Sequence, residues 1–169
     1  MQQLHIYRVQ DRYINYLHGA DHRVQLNKNA SRPYVGVVLT VGSYRYFVPM
    51  ESPKENHKKL RPAAHIMLLD GGKYGLLGFN NMIPVPQGAL ISFRFSELED
   101  TNYANLLKRQ AYYINKHKCD VQDHASKTYF YATSKEKTGF FQKVCCDFKK
   151  LELACKAYDP NYVPKERTK

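Results

Sequence analysis

The side chains best suited to chemistry lie together where an apolar run of strand character stops. Residues 44–50 (YRYFVPM) lead towards Ser52, Pro53 and Lys54, and His57 follows. Because proline lacks an amide hydrogen and fixes its own φ, we expect the strand to break at Pro53 and to leave Ser52 and Lys54 at an exposed corner. A hydroxyl, an amine and an imidazole beside dense positive charge could act on a phosphodiester, although a solvated basic turn has the same composition.

Such groups could cleave RNA with little further apparatus. A ribose 2′-hydroxyl attacks its own adjacent phosphate, which leaves a 2′,3′-cyclic phosphate and a 5′-hydroxyl end. The reaction needs an in-line arrangement, a proton acceptor, a proton donor and positive charge around the phosphorane. Ser, Lys, Tyr, Arg and His can supply these, whereas a metal-dependent nuclease needs clustered carboxylates, which are scarce near the basic stretches.

The composition of the chain favours a polyanionic partner. Its 169 residues include 26 Lys and Arg against 15 Asp and Glu, which gives a formal net charge of +11. Such a surface attracts nucleic acid. The 14 Tyr and 8 Phe suit base stacking beside phosphate neutralisation, although most rings in a domain belong to its core.

Other classes of protein are disfavoured by the sequence. The N-terminus lacks a signal-peptide pattern, and no segment approaches the roughly 18 consecutive apolar residues of a membrane span, so we expect a cytoplasmic protein without membrane contact. The four cysteines, at 119, 145, 146 and 155, lack the spacing of metal ligands. We therefore expect free thiols, no metal site and no cofactor.

Hydrophobic patterning predicts strands first and helices afterwards. A short strand precedes a helix that Asp11 caps and Gly19 ends, and the pair Gly42-Ser43 links two β-branched or aromatic runs as a hairpin. Further strands complete an antiparallel sheet of five or six, at residues 65–69, 74–85 (broken near 80–81) and 89–95.

The second half of the chain has the spacing of helices. Apolar residues recur at three- and four-residue intervals after a cap at Asp100 or Thr101, a second, shorter helix is predicted from Asp123 to Thr133, and a third from Thr138 through Leu151. The order indicates one α+β domain over residues 1–169, with strands to about 95, helices from about 100 to 157 and a polar tail at 158–169.

Several segments together resemble the ToxN/AbiQ family of endoribonuclease toxins from type III toxin–antitoxin and phage-abortive systems. They are RYINYL at 12–17, SRPYVGVVL at 31–39, YxxP followed by SPK at 46–54 with His57 after it, and FNNMIPV at 79–85. The resemblance implies a bent antiparallel sheet related to the Kid/MazF toxins and metal-independent RNA cleavage. It also implies an antitoxin that is a repeat-derived RNA pseudoknot, which the toxin cuts from its precursor and which inhibits the toxin, with protein and RNA closing into cyclic assemblies.

Carried onto this chain, the family's active-site positions fall on Tyr13, Arg32, Ser52 and Lys54, with His57 as a weaker candidate. Lys54 would stabilise the phosphorane or shuttle a proton, Ser52 would bind the phosphate or the 2′-hydroxyl, and Arg32 would grip phosphate. Each also has a structural alternative. Tyr13 could simply pack its helix on the sheet.

Glu51 departs from the family, which commonly has a small hydroxyl residue there. Its carboxylate could repel phosphate, pair with Lys54 or act as the general base. Strand alternation as far as Pro53 would turn Glu51 and Ser52 to opposite faces and keep Glu51 out of the pocket.

Basic residues elsewhere are candidates for contacts to the RNA backbone, although charge runs usually face only solvent. The candidates are Arg12, Lys28, Lys58, Lys59, Arg61, Lys108, Arg109 and Lys116. The main alternative function is a non-catalytic RNA- or DNA-binding module, and a second is a structural protein of a ribonucleoprotein.

Overall fold

An antiparallel sheet forms the centre of the protein, whose computed structural model describes residues 2–27, 31–135 and 139–161. Its seven strands run in the order β4-β5-β3-β2-β1-β7, and β6 pairs with β3. They are β1 His5–Val9, β2 Tyr34–Val41, β3 Tyr44–Glu51, β4 Ile66–Leu68, β5 Leu76–Gly78, β6 Ile83–Pro84 and β7 Leu90–Ser92.

The predicted hairpin of β2 and β3 is confirmed and lies in the middle of the sheet. Gly42 has a φ of 57°, which suits glycine in a tight two-residue turn, and Val41 pairs with Tyr44. On its other edge β3 pairs first with β6 and then, at Met50 and Glu51, with β5. The corner after β3 is therefore held from both sides.

Five α-helices are described: α1 Asp11–Ala20, α2 Thr101–Lys116, α3 Lys118–Thr133, α4 Gly139–Val144 and α5 Phe148–Ala157. The α+β class with an antiparallel sheet is confirmed, since every described strand pair is antiparallel. The run at 74–85 divides at a 3₁₀ turn, Phe79–Asn81, which adds a strand to the expected number. Asp100 caps α2, since its side chain accepts from the Tyr103 N–H at 3.0 Å.

Three helix predictions were wrong in their bounds. Gln10 rather than Asp11 is the N-cap of α1, and Gly19 lies inside that helix. The helix α3 begins at Lys118 rather than at Asp123, so it is as long as α2. The predicted third helix is two helices, because Asp147 caps α5 and the Cys146 N–H donates to Asn80 instead of continuing a helix. Its predicted start at Thr138 and most of the polar tail lie outside the described residues.

Buried polar contacts join the late helices to the sheet. Glu152 on α5 is 6% exposed, and its Oε1 accepts from the hydroxyls of Tyr46 on β3, at 2.8 Å, and Tyr129 on α3, at 2.7 Å. Buried tyrosines need such partners. This carboxylate ties three elements together.

The cysteines are all free thiols, as predicted. Burial raises the pKa of Cys145 and of Cys146 to about 12, so both remain protonated at neutral pH and serve packing rather than nucleophilic chemistry. In the part of the chain that the structure describes, no helix is both long and apolar enough to cross a bilayer.

Candidate active site

The corner after β3 forms one wall of an open cleft of about 330 Å³. The strand ends at Glu51, Pro53 follows, and a 3₁₀ turn spans Glu55–Lys59. The strand therefore ends just before Pro53, as the missing amide hydrogen and fixed φ of proline predict. The cleft is lined by Gln25, Arg32, Pro33, Met50, Glu51, Ser52 and Lys54.

Glu51 lies between the exposed Lys54, which lines the cleft, and the buried His57, which does not. Its Oε2 accepts from the Lys54 ammonium at 3.2 Å and lies 3.6 Å from Nε2 of His57. His57 is 2% exposed, and its Nδ1 accepts from the Lys54 backbone N–H at 3.2 Å. That bond places the proton of a neutral imidazole on Nε2, facing the carboxylate.

The sequence left open whether strand alternation keeps Glu51 out of the pocket, and in the structure it does not. Alternation separates neighbours only within a strand, and β3 ends at Glu51, so Ser52 already follows a different path. Both residues line the cleft. The carboxylate and the Ser52 hydroxyl therefore share one space with Lys54.

Arg32 reaches the same cleft from the beginning of β2. In the hairpin Tyr34 lies opposite Pro49, and the Met50 N–H donates to the Pro33 carbonyl at 3.0 Å. This register brings Arg32 beside the end of β3, across from Lys54. Two cations, one just before β2 and one just after β3, thus border a space suited to a phosphate.

Gln25 is a cleft residue that the sequence did not single out. Its Nε2 donates to Asn81 Oδ1 at 3.1 Å, and the Asn81 amide donates to the Arg23 carbonyl at 2.9 Å. The FNN segment thereby holds the loop after α1 against the cleft. Two adjacent asparagines between short strands were the available signal, because paired amides commonly fix loops.

Tyr13 does not reach this cleft, contrary to its predicted place in the phosphate pocket. It is 0% exposed, and its hydroxyl donates to the Pro84 carbonyl at 2.6 Å. Burial is the main cause that raises the pKa of Tyr13 far above the usual value, and the neighbouring Cys155 raises it further. The hydroxyl therefore stays protonated. The position matches the alternative in which Tyr13 packs α1 on the sheet.

The predicted RNA-backbone residues divide into separate surfaces. Arg12 is exposed on α1, and Lys58, Lys59 and Arg61 are exposed within or just after the 3₁₀ turn beside the cleft. Lys58 lies 3.8 Å from Glu55. Lys108, Arg109 and Lys116 are exposed on α2 and line a second cleft. Lys28 lies outside the described residues.

Solved structures share this fold over nearly their whole length. One, from work on bacterial type III toxin–antitoxin systems and selective toxin inhibition by a non-coding RNA pseudoknot, has a TM-score of 0.81 at 31% identity and covers 92% of this chain and 97% of its own. Another, AbiQ, a lactococcal anti-phage endoribonuclease of the type III systems, has a TM-score of 0.79 at 28% identity, with coverage of 92% and 97%. The fold therefore places the chain in the structural class of these α+β proteins.

The chain belongs to the ToxN family, since the family model described as "Toxin ToxN, type III toxin-antitoxin system" matches residues 5–156. Endoribonuclease ToxN of Bacillus thuringiensis subsp. kurstaki is 36% identical over 93% of this chain and 85% of its own length. Endoribonuclease AbiQ of Lactococcus lactis subsp. lactis is 32% identical over 92% and 89%. The family assignment made from the sequence motifs is confirmed.

Proposed function

We propose that this protein is the toxin of a type III toxin–antitoxin system, and that it cleaves RNA without a metal by 2′-hydroxyl attack at the cleft beside β3. The observation that carries the proposal is the convergence of Arg32, Ser52, Lys54 and Glu51 on one cleft of a ToxN fold. No three metal-ligating side chains cluster among the described residues. Arg32 and Lys54, which line the cleft, supply the positive charge that the proposed reaction needs around the phosphate.

Arg32 and Lys54 hold the scissile phosphate between them. The Arg32 guanidinium offers paired donors to two phosphate oxygens, while Lys54 acts as a point charge. The Ser52 hydroxyl donates to a third oxygen. These contacts favour the phosphorane, whose charge exceeds that of the substrate.

Glu51 is the general base of this mechanism. Ammonium and guanidinium groups cannot accept a proton, and the His57 imidazole is buried with Nδ1 already accepting a hydrogen bond. Glu51 Oε2 faces Lys54 and His57, and Oε1 has no hydrogen-bond partner among the described residues. That oxygen can take the proton of the 2′-hydroxyl.

The proton transfers balance within this set. The O2′–P bond forms as the P–O5′ bond breaks, Glu51 takes the proton from O2′, and the Lys54 ammonium gives one to O5′. Glu51 and Lys54 lie 3.2 Å apart, so the proton can then pass between them and restore both groups. His57 is a positioning residue, which orients Glu51 through Nε2.

The RNA partners follow from the relatives. Selective inhibition of a toxin by an RNA pseudoknot is described for a relative of the same fold. We propose that this chain likewise cuts a repeat-derived precursor, is inhibited by the resulting pseudoknot in a cyclic protein–RNA assembly, and acts on cellular or phage RNA in the cytoplasm. Arg12, Lys28, Lys58, Lys59 and Arg61 are proposed to contact the RNA backbone.

The test is incubation of the purified protein with the transcript of its upstream region in EDTA. Discrete fragments with 2′,3′-cyclic phosphate and 5′-hydroxyl ends are expected. Ser52→Ala and Lys54→Ala should abolish cleavage and toxicity without unfolding the protein. Lys127→Ala is a matched control, because Lys127 lies on α3, pairs with Asp123 at 2.8 Å and does not line the cleft, and it should cleave normally. RNA that is bound but left intact would support a non-catalytic binding module instead.

A further inference from the structure

The second cleft, on α2, carries a concentration of cations that structural pairing does not explain. It has a volume of about 430 Å³, and we call it the α2 cleft. Lys108, Arg109 and Lys116 line it and are exposed. Among the described residues, none of these three has a carboxylate within 4.0 Å. The cleft is therefore an anion-attracting surface.

Aromatic rings border the same cleft. Tyr112 is 73% exposed, one turn of helix away from Lys108 and Lys116 on the same face. Tyr113 stacks on His117, with centroids 4.3 Å apart and planes at 29°. Tyr74 approaches Tyr113 edge-on at 6.5 Å. The exposed ring of Tyr112, with cations on either side along the helix, is the kind of surface on which an unpaired base stacks.

A single turn, residues 69–75, fixes the α2 cleft relative to the candidate active site. On one side the Gln110 amide of α2 donates to the Tyr74 carbonyl at 2.6 Å. On the other side the turn is pressed against the corner after β3: a Cβ on Gly75 would lie 1.8 Å from the Glu51 carbonyl oxygen, and one on Gly72 would lie 3.2 Å from His57 Cβ. The two clefts are thus braced by the same backbone.

A third depression of about 520 Å³ connects them. It shares Lys54 with the candidate active site and Asp70 with the α2 cleft. Lys58 and Lys73 line it, as do two acidic residues. Each carboxylate lies near one of these lysines, Glu55 at 3.8 Å from Lys58 and Asp70 at 4.0 Å from Lys73. The negative charge of this depression is therefore matched by lysine.

We propose that the α2 cleft is a single-stranded RNA subsite for the strand whose scissile phosphate lies at Lys54. An unpaired base stacks on Tyr112, and the neighbouring phosphates bind to Lys108, Arg109 and Lys116. Between the two clefts, the RNA backbone contacts Lys58 and Lys73. Duplex RNA is excluded from this contact because paired bases do not expose their faces. The proposal rests on the proposed function, and it makes unpaired nucleotides beside the cut site a determinant of substrate choice.

The first experiment measures binding to a long unpaired 2′-O-methyl RNA, which has no 2′-hydroxyl nucleophile and stays intact whether or not the protein is a nuclease. Tyr112→Ala should weaken binding about 5- to 100-fold. Tyr112→Phe keeps the ring and should bind as the unaltered protein does. Lys116→Ala should lower the slope of log affinity against log salt by about 0.7. Equal binding by Tyr112→Ala and Tyr112→Phe would overturn the proposal.

The second experiment separates this subsite from the proposed nuclease. With a long unpaired substrate, Tyr112→Ala should raise KM and leave kcat within a factor of about 2, because stacking contributes to ground state and transition state alike. With a dinucleotide that spans only the scissile phosphate, it should change nothing. An unaltered protein that binds the long RNA in a Tyr112-dependent way but cuts neither substrate would refute the nuclease and keep the subsite. An equal loss by Tyr112→Ala on the dinucleotide would refute the subsite.

Discussion

Glu51 places a negative charge inside a cleft that must receive a phosphate. The cost is limited because the carboxylate is matched by Lys54 at 3.2 Å and faces the His57 Nε2 at 3.6 Å, while Arg32 adds a second cation to the lining. The side chain is one-quarter exposed, so solvent also screens it. A carboxylate held in this way can be an acceptor for a proton without repelling the substrate out of the cleft.

At the scale of this residue, we predict that Glu51→Gln lowers the cleavage rate about 100-fold or more. The amide keeps the shape of the carboxylate but cannot take the 2′-hydroxyl proton. Binding of the uncleavable RNA should be as tight or tighter, since a negative charge has been removed. Single-turnover cleavage and RNA titration measure the two quantities. Glu97→Gln, in an exposed turn, is the control, and a Glu51→Gln protein that cleaves at the control's rate would rule out Glu51 as the base.

The turn from Leu69 to Gly75 is the element on which the site depends most. It is closed by the Leu69 N–H donating to Gly75, at 2.9 Å, and the Tyr74 N–H donating to Leu69, at 3.1 Å. Gly71 and Gly75 both have positive φ, 61° and 94°. Residues with a Cβ atom adopt such a backbone conformation only at a cost in free energy. They differ in their surroundings, because Gly71 faces open space and Gly75 faces the Glu51 backbone.

We therefore predict different outcomes for the same substitution at these two glycines. Gly71→Ala should lose roughly 1–2 kcal/mol of unfolding free energy from the backbone conformation alone and should keep its cleavage activity. Gly75→Ala should lose more stability and most activity, because its Cβ must displace the Glu51–Ser52 backbone. Denaturant unfolding and cleavage assays on the pair make the comparison. Similar cleavage rates for the two variants would show that the turn does not brace the site.

At the scale of the molecule, hydrogen bonds join α5 and its N-cap to α1 and the residue that follows it. Asp21, just after α1, accepts from the Asp147 N–H at 2.6 Å and from the Arg23 side chain at 3.0 Å. Burial opposes the charge, yet the bonds from Arg23 and Asp147 hold the pKa of this carboxyl below its usual range. Tyr16 adds a bond from α1 to the Ala154 carbonyl at 2.8 Å.

The depressed pKa of Asp21 predicts a pH dependence of stability. The unfolded state takes up the proton first as pH falls, so the contribution of Asp21 is complete above about pH 4 and is lost below it. Asp21→Asn should cost about 2 kcal/mol at neutral pH, and the difference from the unaltered protein should shrink as pH falls below 4. Urea unfolding at several pH values measures this. Asp123→Asn, an exposed residue on α3, is the control, and a difference that is constant with pH would contradict the assignment.

Local chemistry made part of this protein predictable from its sequence. Proline and β-branched residues act on the chain within a few positions, so the hairpin, its two-residue turn and the break after β3 could be read directly, and Asp100 could be recognised as a cap. Arg32, Ser52 and Lys54 were identified through family motifs, and the hairpin register explains why they meet. Helix bounds were less predictable, because a tertiary bond from Cys146 to Asn80 interrupts an apolar pattern that would otherwise continue.

The sequence by itself therefore determined the class of fold, the family and the corner that carries the cations. Tertiary structure decided which side chains face the cleft, because facing depends on packing between residues far apart in the chain. It withdrew Tyr13 into the core at Pro84, turned Glu51 towards Lys54 and His57, and brought Gln25 in through Asn81. It also placed the turn at 69–75 between the corner and α2, and no local sequence pattern predicts that contact.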